Sequence, residues 1–136
     1  MNFSQSTLNL IGRVLIVALF LPAGIDKLTG FSGTVGYFSS LGMPAPSLGV
    51  VVAIVVEIIG GLALLVGYRT RIAAVVLAVF TLAASVAGHA YWAAPADQAF
   101  VQQLLFFKNI AVVGGLLILA AAGAGKISID NFRASK

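Results

Sequence analysis

The sequence predicts an all-α integral membrane protein, a single four-helix bundle covering residues 1–136, and three observations carry that expectation. The chain is 60% hydrophobic and 9% charged, with a mean hydropathy of +1.08, far from the composition of a soluble domain. Its apolar residues gather into four runs of some twenty residues, each long enough to cross a bilayer core as a helix. Lys and Arg sit at one set of run ends and are missing from the loops at the other, which is how membrane topology is encoded. Backbone groups in lipid must be bonded within their own segment, and no alternating barrel pattern appears, so the runs are helices. At this length the chain is one domain.

Residues 1–7 read as a short polar lead. The first span covers about residues 8–28. No Lys or Arg precedes it and no A-x-A cleavage site follows, so a retained helix is expected rather than a signal peptide. Residues 29–47 are rich in Gly, Ser and Pro and carry no charge. Gly42-Met43-Pro44-Ala45-Pro46 is a turn. Thr34 to Leu41 reads either as a short interfacial helix, with Tyr37 and Phe38 at headgroup level, or as a surface loop.

The second span covers residues 48–68 and contains one carboxylate, Glu57, near its middle. Gly60 and Gly61 follow at three and four residues, on the Glu57 face, where small residues let a neighbouring helix approach. Arg69-Thr70-Arg71 is a tight turn. The third span runs over about 72–92 and ends in Tyr91-Trp92, residues typical of the membrane interface. Ala93 to Gln103 is a polar loop. The fourth span runs over about 104–123, closed by Gly123-Ala124-Gly125 in the manner of a helix C-cap, and a basic tail follows. Arg69, Arg71, Lys126, Arg133 and Lys136 all fall on one side, whereas loops 29–47 and 93–103 have no Lys or Arg. Both termini are therefore expected in the cytoplasm.

Polar residues inside the spans are expensive and are functional candidates by default. Lys27, Glu57, His89, Trp92, Lys108 and Asn109 all fall in the outer half of the bilayer, each on a face with small residues beside it. Turned inward, they form one polar chamber. Lys108 is one partner for Glu57; Arg13, about a turn and a half into the first span, is the rival from the other side. Each residue also has a plainer reading. Arg13 snorkels, Lys27 pairs with Asp26 at the rim, Trp92 anchors the interface, His89 is interfacial, and Lys108-Asn109 joins helices.

Composition excludes several chemistries. With no cysteine and one histidine, the chain by itself offers no thiol chemistry, iron–sulfur ligation or bis-histidine haem. No metal site is expected. The net charge of +4 is spread over scattered residues without an aromatic platform, so nucleic acid is not a partner.

Taken in order, several short motifs resemble the DoxX family of small bacterial inner-membrane proteins over nearly the whole chain. They are Arg13 with Gly24-Ile-Asp-Lys27-Leu28, then Gly33-Thr34, Tyr37 and Gly42-Met-Pro44, then Glu57-Ile-Ile-Gly60-Gly61. Gly67-Tyr-Arg-Thr70-Arg71, His89-Ala-Tyr91-Trp92 and Phe107-Lys108-Asn109 follow, with Gly114-Gly115-Leu116-Leu117, Gly123-Ala-Gly125 and Ser128-Ile-Asp130 completing the series. The resemblance implies a four-helix membrane bundle, often labelled provisionally as an oxidoreductase. Some relatives are linked to quinone-coupled thiosulfate oxidation or to membrane complexes handling oxidative stress.

The leading expectation is a redox-associated inner-membrane protein with a quinone-like or small aromatic ligand in the outer-half chamber. Glu57 and His89 are the candidate catalytic groups, Glu57 accepting or relaying a proton. Arg13, Lys27, Trp92, Lys108 and Asn109 are the candidate ligand-binding residues, with Lys108, His89 and Asn109 donating to a ring carbonyl and Trp92 stacking on the ring. A redox partner protein is implied. One alternative is a non-catalytic scaffold in which Glu57 and its cation specify helix packing. Another is a small-solute or proton pathway, which needs a homo-oligomer because four helices leave little room for a pore. A dry, closed Glu57–Lys108 contact would favour the scaffold, and a roomy pocket the redox role.

Overall fold

The computed structural model describes residues 1–135. Lys136, one of the residues used to orient the chain, lies outside them. Among the described residues there are six helices: α1 (Phe3–Thr29), α2 (Phe31–Ser40), α3 (Pro46–Val66), α4 (Thr70–Gly88), α5 (Ala99–Ala122) and α6 (Ile129–Ala134), with a 3₁₀ turn at Tyr91–Ala93 between α4 and α5. Four of them, α1, α3, the α4 segment and α5, are long and apolar enough to cross a membrane.

The long helices pack in the order α1 on α3, α3 on α4 and α4 on α5, while α1 and α5 lack close backbone packing. The core is a single cluster that includes Val17, Phe20, Leu64, Leu77 and Leu116. Large apolar side chains such as Leu15, Ile59, Val79 and Ile118 point outward, as a hydrocarbon solvent allows. Glycines set the closest approaches. A Cβ on Gly61 would lie 3.2 Å from Leu21, and one on Gly60 would lie 3.1 Å from Leu77.

Element boundaries depart from the sequence reading for local reasons. α1 begins at Phe3, inside the expected polar lead, because Asn2 and Gln5 form a reciprocal capping box at 2.8 and 2.9 Å. The first loop forms a helix, α2, three residues earlier than the expected Thr34 start. α4 stops at Gly88, short of Trp92, and His89 takes the C-cap position. α5 begins at Ala99, within the expected loop. The basic tail contains α6, N-capped by the Ser128 hydroxyl, which accepts from Asn131 N at 3.1 Å.

Arg69, Arg71, Lys126 and Arg133 gather at one end of the bundle, where Arg69, Arg71 and Lys126 line one cleft and Arg133 lies over the Tyr68 ring at 5.5 Å. Arg13 holds that end together. Its side chain is fully buried. It donates to Leu64 O at 2.9 Å, Leu65 O at 3.0 Å, Ile127 O at 2.5 Å and Asn9 Oδ1 at 3.1 Å. It thus adds a donor to Leu64 O, which also accepts from Gly67 N at 3.2 Å, and supplies one to Leu65 O in the last turn of α3. Gly67 follows in the left-handed region, φ 69°, and a Cβ there would lie 2.4 Å from Ser128 Cβ and 2.7 Å from Arg13 Nη1. Asp130 closes the next turn by accepting from the amides of Arg69 at 2.7 Å and Thr70 at 2.9 Å, which caps α4.

These contacts generate two expectations. Arg13→Lys loses the forked donor set and strands buried carbonyls, so it should destabilise the bundle by about 3 kcal/mol. Thermal or denaturant unfolding in detergent reads this. For Asp130, burial alone would raise the carboxyl pKa, but the amides of Thr70 and Arg69 and the charge of Arg133 outweigh it and hold the group below its ordinary value. Its contribution is therefore complete above the ordinary carboxylate range and is lost as pH falls through the lowered value. Asp130→Ala should cost about 1 kcal/mol at neutral pH, a typical cap deletion. The gap from the parent protein should close in acid, as unfolding measured across pH would show.

Candidate ligand cavity

Glu57 lies near the middle of α3, 6% exposed, and its partner is Lys27 of α1. Lys27 Nζ donates to Glu57 Oε1 at 3.1 Å and stands 3.0 Å from Oε2. No hydrogen bond is directed at Oε2, so the ammonium favours one oxygen and holds the second by charge. Its remaining contact is Ala23 O at 3.3 Å, one turn back along α1. The helices meet tightly beside this pair. A Cβ on Gly24 would lie 2.7 Å from Ile58 and 3.1 Å from Glu57 Cβ.

Neither partner expected for Glu57 is the one it has. The reason is the direction of helical side chains, which lean toward the N-terminus of their helix. Arg13 leans back toward Asn9 and the basic end, away from Glu57. Lys108, on α5, borders the same cavity as Glu57 but makes no ion pair with it within 4.0 Å. Lys27 stands near the C-terminus of α1, so the same lean carries it inward to the carboxylate. That also removes it from the expected rim pair with Asp26.

Beside the ion pair is a cavity of about 410 Å³. It brings together Lys27, Glu57, His89, Lys108 and Asn109, five of the seven candidate residues. His89 sits at the C-cap of α4, its Nδ1 2.9 Å from Gln102 Oε1 of α5. Asn109 is 9% exposed. The stripe below His89 is satisfied along its own helix: Ser85 Oγ donates to Thr81 O and Thr81 Oγ1 to Leu77 O, both at 2.7 Å.

Two candidates lie elsewhere. Arg13 is in the carbonyl knot at the basic end. Trp92 is 58% exposed and packs in an aromatic cluster with Tyr91 at 5.2 Å and Phe106 at 5.5 Å between centroids. The cavity's aromatic walls are instead Phe20, Tyr37, Phe38 and Phe80. Tyr37 and Phe38 come from α2, which folds over the N-terminal part of α3. There Gly49 leaves room for Met43 and Phe38, each within 3.2 Å of where a Cβ would be. Phe20 was legible from its spacing to Arg13 and Lys27 on one face of α1. Phe80 gave no signal beyond its position next to Thr81.

Chemically, the cavity offers a carboxylate, two ammonium groups, a carboxamide and an imidazole inside a mostly apolar wall. Ligand sites for small organic molecules have this balance and volume.

The model of the DoxX family matches residues 8–90, a stretch that includes Arg13, Lys27, Glu57 and His89. The inner membrane protein YphA of Escherichia coli is 38% identical over 128 residues, 94% of this chain and 91% of its own length. The inner membrane protein YqjF of the same organism is 40% identical over 122 residues, 90% of this chain and 88% of its own length. CatD of Bacillus subtilis, whose name assigns it provisionally to the oxidoreductases, is 36% identical over 84 residues, 62% of this chain and 61% of its own length. No solved structure gives a significant match. With the family pattern matched over more than half its length, and two relatives aligned along nearly all of it, the chain belongs to the DoxX family.

Proposed function

We propose that this is an inner-membrane component of a redox system, holding a quinone-like or small aromatic head group in the cavity beside Lys27 and Glu57. The observation that carries the reading is that Glu57 and Lys108 do not close on each other but border the same open volume of about 410 Å³. Lys108 and Asn109 are donors suited to a ring carbonyl, and the Glu57 carboxylate is the proton acceptor. Phe20, Phe38 and Phe80 take the stacking role first given to Trp92. Electrons come from a partner protein, since the chain has no cysteine to serve as a redox group. The name of CatD supports the redox assignment, and the names of YphA and YqjF support the inner membrane. The gathering of Arg69, Arg71, Lys126 and Arg133 at one end supports cytoplasmic termini.

The Lys27–Glu57 contact favours a second reading, in which the pair only joins α1 to α3 and the protein is an assembly scaffold. One pair of variants separates the two. Lys27→Met leaves a buried carboxylate unpaired and should cost about 3–5 kcal/mol, whereas removing both charges should recover most of the loss. In the redox role, the folded Lys27→Met/Glu57→Leu protein yields no quinone on organic extraction and supports no quinone-dependent turnover, while the parent does both. Absence of quinone and of quinone-dependent activity in the parent protein overturns the proposal.

Orientation is tested independently, because the chain has no native cysteine. A cysteine placed at Ala96 should react with a membrane-impermeant maleimide in spheroplasts with intact inner membranes. One placed at Ser135 should react only after permeabilisation, and the reverse pattern would invert the topology.

A further inference from the structure

We infer that the cavity is built for an anion: a ligand whose apolar body carries an ionised hydroxyl or carboxyl, with Lys108 as its counter-ion. The inference rests on the reading that a ring-headed ligand occupies this site, and it narrows that ligand's chemical class.

Charge accounting on the cavity wall carries the argument. The charged and titratable groups facing it are Lys27 from α1, Tyr37 from α2, Glu57 from α3, His89 at the end of α4 and Lys108 from α5. Lys27 and Glu57 cancel. The Lys27 ammonium donates to Ala23 O at 3.3 Å and Glu57 Oε1 at 3.1 Å and holds Glu57 Oε2 by charge at 3.0 Å, so it is already engaged with the carboxylate. Lys108 has no such partner. Among the described residues Lys27–Glu57 is the one ion pair between side chains within 4.0 Å. Two ammonium groups against one carboxylate leave the wall with one positive charge. Asn109, the next residue, is nine-tenths buried at the cavity with no side-chain hydrogen bond recorded among the described residues, and it adds an amide donor. The free groups are thus an ammonium and a carboxamide bordering the same cavity, a donor set matched to an oxyanion.

Depth makes the imbalance costly. Lys108 lies about 8 Å along α5 from Gln103, on a helix whose outward face is otherwise apolar. Its side chain is exposed on the protein, so its ammonium faces hydrocarbon unless it reaches the headgroups or an anion meets it.

The packing also says where the anion comes from. At the basic end the α1–α5 seam is closed by Asn9 Nδ2, which donates to Gly123 O at 2.8 Å. Toward the other end, Leu19 and Ala23 of α1 and Lys108 of α5 line the cavity, and these two helices lack close backbone packing. α2 covers the end through Tyr37 and Phe38. In this reading the ligand enters sideways from the bilayer between α1 and α5, so it is an amphiphilic acid and not a water-borne one.

A matched pair of probes tests this on the full-length protein in a neutral detergent: 1,4-naphthoquinone, which is uncharged, and 2-hydroxy-1,4-naphthoquinone, which is ionised at neutral pH. Equilibrium binding should favour the hydroxy compound by about tenfold, the value of one charge-assisted contact. The preference should vanish in Lys108→Gln, persist in Lys108→Arg, and fade in the parent protein as acid protonates the hydroxyl. Unfolding temperature confirms that both variants are folded. Equal affinity for the two probes overturns the anion inference and leaves the ring reading standing. Retained preference in Lys108→Gln also overturns it and gives Lys108 to a lipid phosphate instead. If neither probe binds, the ring reading and the inference fall together.

Discussion

The rest of the structure depends on a charge that hydrocarbon will not solvate. Glu57 sits in the middle of the most apolar helix of the bundle, and taking a carboxylate there is tolerable only with a cation in contact. Lys27 supplies it at 3.0 Å, and Gly24 lets the two backbones come close enough for a lysine stem to reach. At the other end of α1, Arg13 binds the last carbonyls of α3. The two cations are fourteen residues apart, about 21 Å along the helix. Apolar burial gives little net drive between helices in lipid, so polar ties and close glycine contacts decide register. α1 is therefore pinned to α3 at both ends.

That pinning explains where the cavity forms. α1 is tied to α3 by charges at both ends, whereas it meets α5 through Asn9 and Gly123 O and through side chains of the core, without close backbone packing. The gap falls where the helices carry polar groups, because those groups need either each other or a guest. α2 covers the end of the gap, and its two aromatic residues give the space an apolar roof. Packing constraint and binding site thus have the same origin.

Much of this was legible in the sequence. The four spans follow from run length and solvation alone, and the gathering of Lys27, Glu57, His89, Lys108 and Asn109 follows from depth and small-residue faces. The Glu57 partner was not legible, because depth ranks lysines without saying which way each leans. Arg13 and Lys108 looked closest by position along the bilayer normal, yet Arg13 turns to the carbonyls of the basic end and Lys108 stays across the cavity from Glu57. Trp92 was misplaced for another reason. The helical period was extended through His89, but α4 ends at Gly88 and a 3₁₀ turn at Tyr91–Ala93 redirects the ring. The aromatic walls contributed by α2 depend on a chain reversal at Gly42-Met43-Pro44 that spacing alone does not orient. The capping box at Asn2 and Gln5, by contrast, is readable from the spacing of the pair, and it starts α1 inside a lead whose polar composition suggests no helix.

The two ends of the bundle use similar cations to opposite effect, and counting acceptors shows why. Arg13 has five donors and meets four acceptors: Asn9 Oδ1 and the carbonyls of Leu64, Leu65 and Ile127. Gly67 leaves no room beside it, and Asn9 is itself fixed by donating to Gly123 O. Four of the five donors are met by protein acceptors, so Arg13 acts there as a structural joint. At the other end Lys27 is satisfied, but Lys108 and Asn109 bring donors that no protein acceptor in the described chain takes up. A buried or lipid-level donor without an acceptor is an expense that a fold retains only if something else meets it. Excess donors beside open volume, more than the presence of any single residue type, separate a site from a joint in this bundle. In the proposed role, the same criterion makes the Lys27–Glu57 pair a wall of the cavity and Lys108 with Asn109 the face that a guest would meet.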